Sequence, residues 1–422
     1  MHHFDYKQGR LHCEAVDLTE IADRVGTPCY VYSTATLTRH VRVIAEAFQD
    51  VPCLLAFSVK ANGNLGVLAT LARAGCGADV VSGGELQRAM RAGIAASRIV
   101  FSGVGKTPDE MKLALRSGIH QFNVESAAEL DALNGVAMEL GLEAPIALRV
   151  NPDVLAGGHP NISTGKSGDK FGVPWSDAEA LFLHAHTLPG ISVKGVDVHI
   201  GSQIDALAPM RAAFEKTMAL ARRLIGLGVP IERVDLGGGL AIPYTAGDAP
   251  ASPADYAAMV REVIGDLPVE VILEPGRVIA GNAGVLLTET LYLKDAPDRT
   301  FLIVDAGMND LMRPALYRAH HEVRPLVAPD TEAAGDHRYD IVGPICESTD
   351  KFAEAREMPQ VRAGDRLAFM SAGAYGAVLS SQYNARPLVA EVLVDGDAYH
   401  VVRRRPSFEE MIQLEQVPDW LT

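Results

Sequence analysis

CLLAFSVKANGNLGVLATLARAGCGADVVSGGELQRAMRAG, residues 53–93, holds the pattern that decides the fold. A short apolar run (CLLAFSV, 53–59) ends at Lys60 and a loop of small and polar residues. NLGVLATLARAG then spaces its apolar residues three and four apart, as one face of a helix requires. A second apolar run (ADVVS, 78–82) and a second helical stretch, GELQRAMRAG, follow. Strand, crossover helix and strand in this order imply parallel pairing, because parallel neighbours need a long connection. The unit recurs at RIVFSG (98–103), QFNVES (121–126), IALRVN (146–151), VDVHIGS (196–202), RVDLGGG (233–239) and VEVILEPG (269–276). Eight units in about 220 residues match the count and size of a (β/α)8 barrel, with a doubly wound sheet as the alternative.

The polar residues favour the barrel. Lys60, Asp79, Ser82, Gly103, Asn123, Arg149, His199, Gly237 to Gly239 and Glu274 fall at or just past the C-terminal ends of these runs. In a barrel those ends converge on one mouth, where barrel enzymes place their sites. In an open sheet only those near a switch point could meet. After residue 280 the character changes: GVLLTETLYLKD, TFLIVDAG, HRYDIVGPIC, DRLAFMSAGAY and LVAEVLVDGDAYHVV are strand-like, divided by Pro, Gly and Asp turns, and lack long helices. The expected class is α/β: a (β/α)8 TIM-like barrel over 31–280 with a second, mainly antiparallel β domain over 281–422. Residues 1–30 hold no barrel unit and are expected to pack on the β domain.

Composition excludes several classes. The chain has 422 residues, 48% hydrophobic and 22% charged, enough apolar content to fill a large core. A net charge of −15 repels a phosphate backbone, and the only basic run is Arg403 to Arg405, so neither nucleic acid nor an anionic membrane is an expected partner. No stretch approaches the roughly 18 apolar residues of a membrane helix. The N-terminus, MHHFDYKQGRLHCEAVDL, has no apolar signal region. Cys13, Cys29, Cys53, Cys76 and Cys346 form no CxxC pair and read as free thiols of a reducing, cytoplasmic compartment.

Four features carry chemistry. Lys60 ends an apolar run, where an ammonium is costly unless paired; such a lysine suits Schiff-base chemistry, or else its stem is buried and its head reaches water. Gly237-Gly238-Gly239 after a strand can turn N–H groups toward a phosphate, or simply form a tight turn. In Glu274-Pro275-Gly276-Arg277 a carboxylate ends the last barrel strand and an arginine could grip an anion; a structural ion pair is the alternative. His199 could be a base or a stacking ring, but no histidine lies at i+2 or i+4, so no metal is expected. His2, His3, His12, His320 and His321 read as surface residues. A ligand with a phosphate and a carbonyl satisfies this set, and pyridoxal 5′-phosphate is one, its aldehyde at Lys60 and its phosphate at the glycines. A carboxylate facing the ring nitrogen would keep it protonated, able to accept the electron pair left by departing carbon dioxide.

The sequence resembles the diaminopimelate decarboxylases, members of the alanine-racemase-like group of pyridoxal-phosphate enzymes. The resemblance runs along nearly the whole chain through FSVKAN (57–62), DVVSGGEL (79–86), FSGVGKT (101–107), HIGSQ (199–203), DLGGGL (235–240), EPGR (274–277), RPALY (313–317), GPICESTD (343–350), GAYG (373–376) and YNARP (383–387). It implies that Lys60 holds the cofactor covalently and that His199 stacks on its ring. Ser202, Gly238, Gly239 and the segment Glu274, Pro275, Gly276, Arg277 would bind the phosphate, with the Glu274 carboxylate on the ring nitrogen and Asp79 also in the cofactor site. Arg277, Arg313 and Tyr317 would grip the substrate's distal carboxylate, and Glu347 its distal ammonium. Cys346 would return a proton to the α-carbon, and Tyr375 would touch both cofactor and substrate. It further implies a homodimer whose sites are shared, Cys346 reaching the partner's barrel. The implied reaction is decarboxylation of meso-2,6-diaminopimelate to L-lysine. Alternatives are a decarboxylase of lysine, ornithine or arginine, an amino-acid racemase, which would set an arginine where Glu274 stands, and a non-catalytic cofactor carrier, which would lack the β domain.

Overall fold

The computed structural model describes residues 2–154, 170–329 and 337–421. The chain divides into two units: Leu37–Ala280, and Met1–Thr36 together with Gly281–Thr422.

The first unit is a closed parallel barrel. Its eight strands, in order, are Cys53–Ser58, Gly77–Val80, Ile99–Phe101, Gln121–Val124, Ala144–Asn151, Ile191–Asp197, Arg233–Asp235 and Glu270–Leu273. Each pairs in parallel with the next, and the eighth returns to the first through Val271 opposite Cys53 and Leu273 opposite Leu55. Closure leaves no edge, so the strands are buried on both faces and read as continuous apolar runs rather than alternating ones. Leu54, Ala56, Val100 and Ile272 fill part of the interior.

The helices start where the loops supply a cap. Asn64, Ser82, Thr107, Ser126 and Ser252 each accept a backbone N–H of the first turn, and Thr107 forms a reciprocal capping box with Glu110. Only the four-residue helix Arg277–Ala280 follows the eighth strand. The sixth strand differs from its sequence reading: it begins at Ile191 and ends at Asp197, which leaves His199 and Ser202 in the loop beyond. Lys194 and Gly195 break the apolar run there. Gly195 is required by packing, because a Cβ would lie 2.6 Å from the Arg233 carbonyl oxygen of the neighbouring strand.

The second unit is a mainly antiparallel sheet. Gly284–Ala296 is its spine and pairs antiparallel with Cys29–Ser33, Arg299–Val304 and Arg366–Phe369. Two pairings are parallel, Arg299–Val304 with His337–Val342 and Cys29–Ser33 with Ala390–Asp395. Lys351–Met358 is a strand that its charged sequence, KFAEAREM, conceals. The N-terminal strands Phe4–Lys7, Arg10–Cys13 and Val16–Asp17 form a small antiparallel sheet. Their Phe4, Leu11, Cys13 and Val16 share a core with Val285, Leu287, Met370 and Val392, so the first thirty residues join the β unit's interior.

Candidate active site

The barrel mouth gathers the reactive side chains. Lys60 sits in the single helical turn Val59–Ala61 just past the first strand, with its Nζ 3.0 Å from Asp79 Oδ2. Asp79 is fully buried while the Lys60 side chain keeps 35% of its surface, so the ammonium is anchored yet reachable. Ser58 Oγ lies 2.8 Å from the same Asp79 oxygen and 3.1 Å from the Glu274 carbonyl, tying the first strand to the second and eighth. Asp79 Oδ1 is buried with no hydrogen-bond partner among the described residues.

The Gly237–Gly239 loop is packed so closely that side chains are excluded. A Cβ on Gly238 would lie 2.3 Å from the Glu274 carbonyl oxygen, and one on Gly239 2.7 Å from that of Gly201. The Gly238 amide donates to His199 Nδ1 at 3.1 Å, which fixes that nitrogen as an acceptor. Desolvation, then Arg149 and Lys60, holds the His199 pKa well below its ordinary value, so the ring is a neutral, flat surface. Among the described residues the amides of Gly239 and Gly276 have no acceptor, which leaves two backbone donors for an anion. Arg277 donates to Ser202 Oγ at 3.1 Å and to the Tyr244 hydroxyl at 2.7 Å.

Beneath the mouth every strand contributes a polar group to the barrel interior. In strand order they are Ser58, Asp79, Ser102 just past the third, Asn123, Arg149, Asp197, Asp235 and, just past the eighth, Glu274, all buried. Glu274 Oε1 accepts from Ser102 Oγ at 3.1 Å and Asn123 Nδ2 at 3.2 Å. Burial, then Asp79, pushes the Glu274 carboxyl up to about 7 against the pull of Lys60 and Arg149. Burial and then Glu274 raise Asp197 and Asp235 well above the ordinary carboxylate range. Carboxylates outnumber cations here even with Glu125, which Arg149 pairs at 3.1 Å, set aside. A cation entering the mouth, such as a protonated pyridine nitrogen, would complete this set. With the spare amides and the reachable lysine, the donors present fit pyridoxal phosphate.

The raised Glu274 pKa has a measurable consequence. Below pH ~4.5 the group is protonated folded or unfolded; as pH rises toward ~7 the unfolded chain ionises it while the fold retains the proton. The native state then holds more protons, so this group's contribution to stability falls across that window and levels off above it. For the cofactor-free protein, the difference in thermal midpoint between Glu274→Gln and the parent is expected to move in the variant's favour from pH about 5 to about 7. A difference independent of pH would assign Glu274 an ordinary pKa.

The remaining sequence-predicted residues lie in the β unit. Cys346 and Glu347 are exposed on a loop that Asp350 ties down by accepting from the Ile345 amide at 2.7 Å and the Met308 amide at 2.6 Å. The Cys346 amide donates to Asn384 Oδ1 at 2.9 Å, and the Tyr383 hydroxyl lies 3.3 Å from Glu347 Oε2. Tyr375 is held at φ +55°, a left-handed conformation that a bulky residue adopts only under constraint from its surroundings. Arg313 opens the helix Arg313–Tyr317 and is buried, its Nη1 2.8 Å from His321 Nε2. His321 is not the surface residue its sequence suggests. It is 1% exposed, and Nδ1, 2.8 Å from the Met370 carbonyl, must carry the proton, so Nε2 accepts from Arg313 and fixes the guanidinium. Asp197, Asp235, Ser102 and His321 are the polar residues that sequence reasoning missed. Among the described residues no cluster of three His, Cys, Asp or Glu is disposed to hold a metal, and no helix is long and apolar enough to cross a membrane.

The fold is that of a barrel-type pyridoxal-phosphate-dependent decarboxylase: the family described as pyridoxal-dependent decarboxylase, pyridoxal binding domain, matches residues 34–281. The diaminopimelate decarboxylase of Pseudomonas fluorescens is 50% identical over 415 residues, covering 98% of this chain and 99% of its own. The solved diaminopimelate decarboxylase of M. jannaschii in complex with L-lysine superposes with a TM-score of 0.94 at 36% identity, over 99% of both chains. That of Helicobacter pylori with L-lysine gives 0.91 at 39%, over 94% of this chain and 99% of its own. The chain belongs to the diaminopimelate decarboxylase family.

Proposed function

We propose that the barrel mouth around Lys60 and Glu274 is where substrate is bound and loses its carboxylate. The enzyme is a pyridoxal-phosphate-dependent decarboxylase that converts meso-2,6-diaminopimelate to L-lysine and carbon dioxide, the last step of lysine biosynthesis. When bound, the cofactor supplies an electron sink for the pair left by departing carbon dioxide. Lys60 would hold it covalently, and Asp79 aims the Lys60 amine. The neutral, flat His199 ring would help to hold the cofactor's ring. Ser202, Gly238, Gly239 and Pro275 to Arg277 would hold the phosphate, and Glu274 would pair with the ring nitrogen. That carboxylate is the feature against a racemase, which would place a cation there and weaken the sink.

Arg277, Arg313 and Tyr317 take the substrate's distal carboxylate, Glu347 its distal ammonium, and Tyr375 contacts cofactor and substrate. Cys346 delivers the proton to the α-carbon. The working unit is a cytoplasmic homodimer in which Cys346 serves the partner's barrel. Choice of substrate rests on the full-length match at 50% identity. Carbon dioxide release measured across meso-diaminopimelate, lysine, ornithine and arginine tests it, and a faster rate on any of the last three would replace the reading with a basic amino-acid decarboxylase.

Arg313 provides a sharper check. Loss of a bidentate carboxylate contact harms only a substrate that has the carboxylate. Arg313→Ala is expected to lower kcat/KM for meso-diaminopimelate by roughly 10²-fold while leaving the slow rate on lysine nearly unchanged. An equal loss on both substrates would make Arg313 a structural partner of His321 instead.

A further inference from the structure

Asn123 is fully buried on the fourth barrel strand. Its Nδ2 lies 3.0 Å from Asp235 Oδ2 on the seventh strand, 3.2 Å from Glu274 Oε1 at the eighth and 3.2 Å from Ser102 Oγ beyond the third. Gln121 Nε2 donates to Asn123 Oδ1 at 2.9 Å, which orients the amide so that its NH2 end faces both carboxylates. Ionised carboxylates are acceptors only, and two that face each other in a buried space repel until one takes a proton. An amide NH2, with two donors and no charge, can stand between them and serve both.

We infer that Asn123 is a positioning residue for Glu274: its amide separates Glu274 from Asp235 and keeps the Glu274 carboxylate ionised and aimed for the cofactor's ring nitrogen. The inference rests on the reading that Glu274 faces that nitrogen. The groups around Glu274 come from every strand. Lys60 and Arg149 favour its ionised form, and Asp79, Asp197 and Asp235 oppose it. Ser58 touches Glu274 only at its backbone carbonyl, and His199 beyond the sixth strand is held neutral. Ser102 Oγ reaches Glu274 Oε1 but has a single proton to give. Of these neutral donors, Asn123 is the one whose side chain spans both carboxylates.

The test uses the holoenzyme and three variants, Asn123→Ala, Asn123→Ala/Asp235→Asn and Glu274→Gln, with pH profiles of kcat and the protonated-carboxyl infrared band. Loss of a hydrogen bond to a buried charge is expected to move the acid limb of the Asn123→Ala profile upward by about one pH unit. With the limb starting near 7, turnover at pH 7 then falls about fivefold and recovers at alkaline pH, while the infrared band at pH 7 grows. In the double variant the facing carboxyl can no longer ionise, and the limb is expected to return toward its parental position, a rescue that lost packing would not show. A uniform loss at all pH values with an unmoved limb, or no return in the double variant, would overturn the inference. Glu274→Gln is expected to lose on the order of 10²–10³ in turnover. Near-parental turnover there would refute the Glu274 reading itself; a collapse there beside an unmoved Asn123→Ala limb would refute the role of Asn123 alone. If Asn123→Ala does not fold, Asn123→Ser, which keeps one donor, is judged by the same displacement of the limb.

Discussion

Lys60→Ala is expected to abolish decarboxylation, with a loss on the order of 10⁴-fold or more, since the variant lacks both the covalent anchor and the nearest basic amine. Geometry singles out this lysine. Its rival near the mouth, Lys106, has a side chain without exposed surface and donates to the Gly103 and Asn123 carbonyls and to Glu129 Oε1, at 2.7, 2.6 and 2.7 Å. All three ammonium protons are thereby placed, and none of its surface is open to an aldehyde. Lys60 keeps 35% of its side-chain surface and has a carboxylate at 3.0 Å to take part in its proton balance. Borohydride treatment of the holoenzyme, followed by peptide mapping, is expected to find the reduced pyridoxyl group on Lys60. A label on Lys106 instead, or substantial turnover by Lys60→Ala, would remove Lys60 from the centre of the site.

The fold was legible because closure of a parallel barrel buries both faces of each strand. Runs such as LLAFSV and VEVIL are then uninterrupted, and each loop advertises the next helix with Asn64, Ser82, Thr107, Ser126 or Ser252 at its cap. Strand ends located Lys60, Asp79 and Glu274 for the same reason: the polar residue that stops an apolar run is the one at the mouth. Sites inside the barrel were hidden by that logic. Asp197 and Asp235 close their runs as inconspicuously as any strand-ending aspartate, and only the closed sheet shows that they face Glu274. His321 follows a second histidine in a polar stretch, and nothing local distinguishes the one that turns inward to Arg313. Lys351–Met358 failed as a strand reading because its pairing with His337–Val342 leaves much of it exposed, so charge outweighs its few apolar residues. Cys346 and Glu347 carry no physical signal of their own. Their roles came through resemblance, and their exposure on a pinned loop is the structural fact to which those roles attach.

That exposure leads to the second large effect. Lys60 belongs to the barrel unit and Cys346 to the β unit, and a free thiol left open at the surface suits a group that completes a neighbour's site. In a two-fold dimer built this way, each site takes Lys60 from one chain and Cys346 from the other. Lys60→Ala and Cys346→Ala homodimers are then each nearly inactive, because every site lacks one residue. Dissociated together and allowed to reassociate, they form mixed dimers in which one site collects both defects and the other none. Random pairing makes half of the dimers mixed, so activity is expected to rise from background to about a quarter of the parent's. If both residues serve the same chain's site, every site in every pairing keeps one defect and mixing restores nothing. Activity that stays at background, in a sample where mass spectrometry demonstrates exchange, would therefore place Cys346 at its own chain's barrel and make each subunit catalytically self-sufficient.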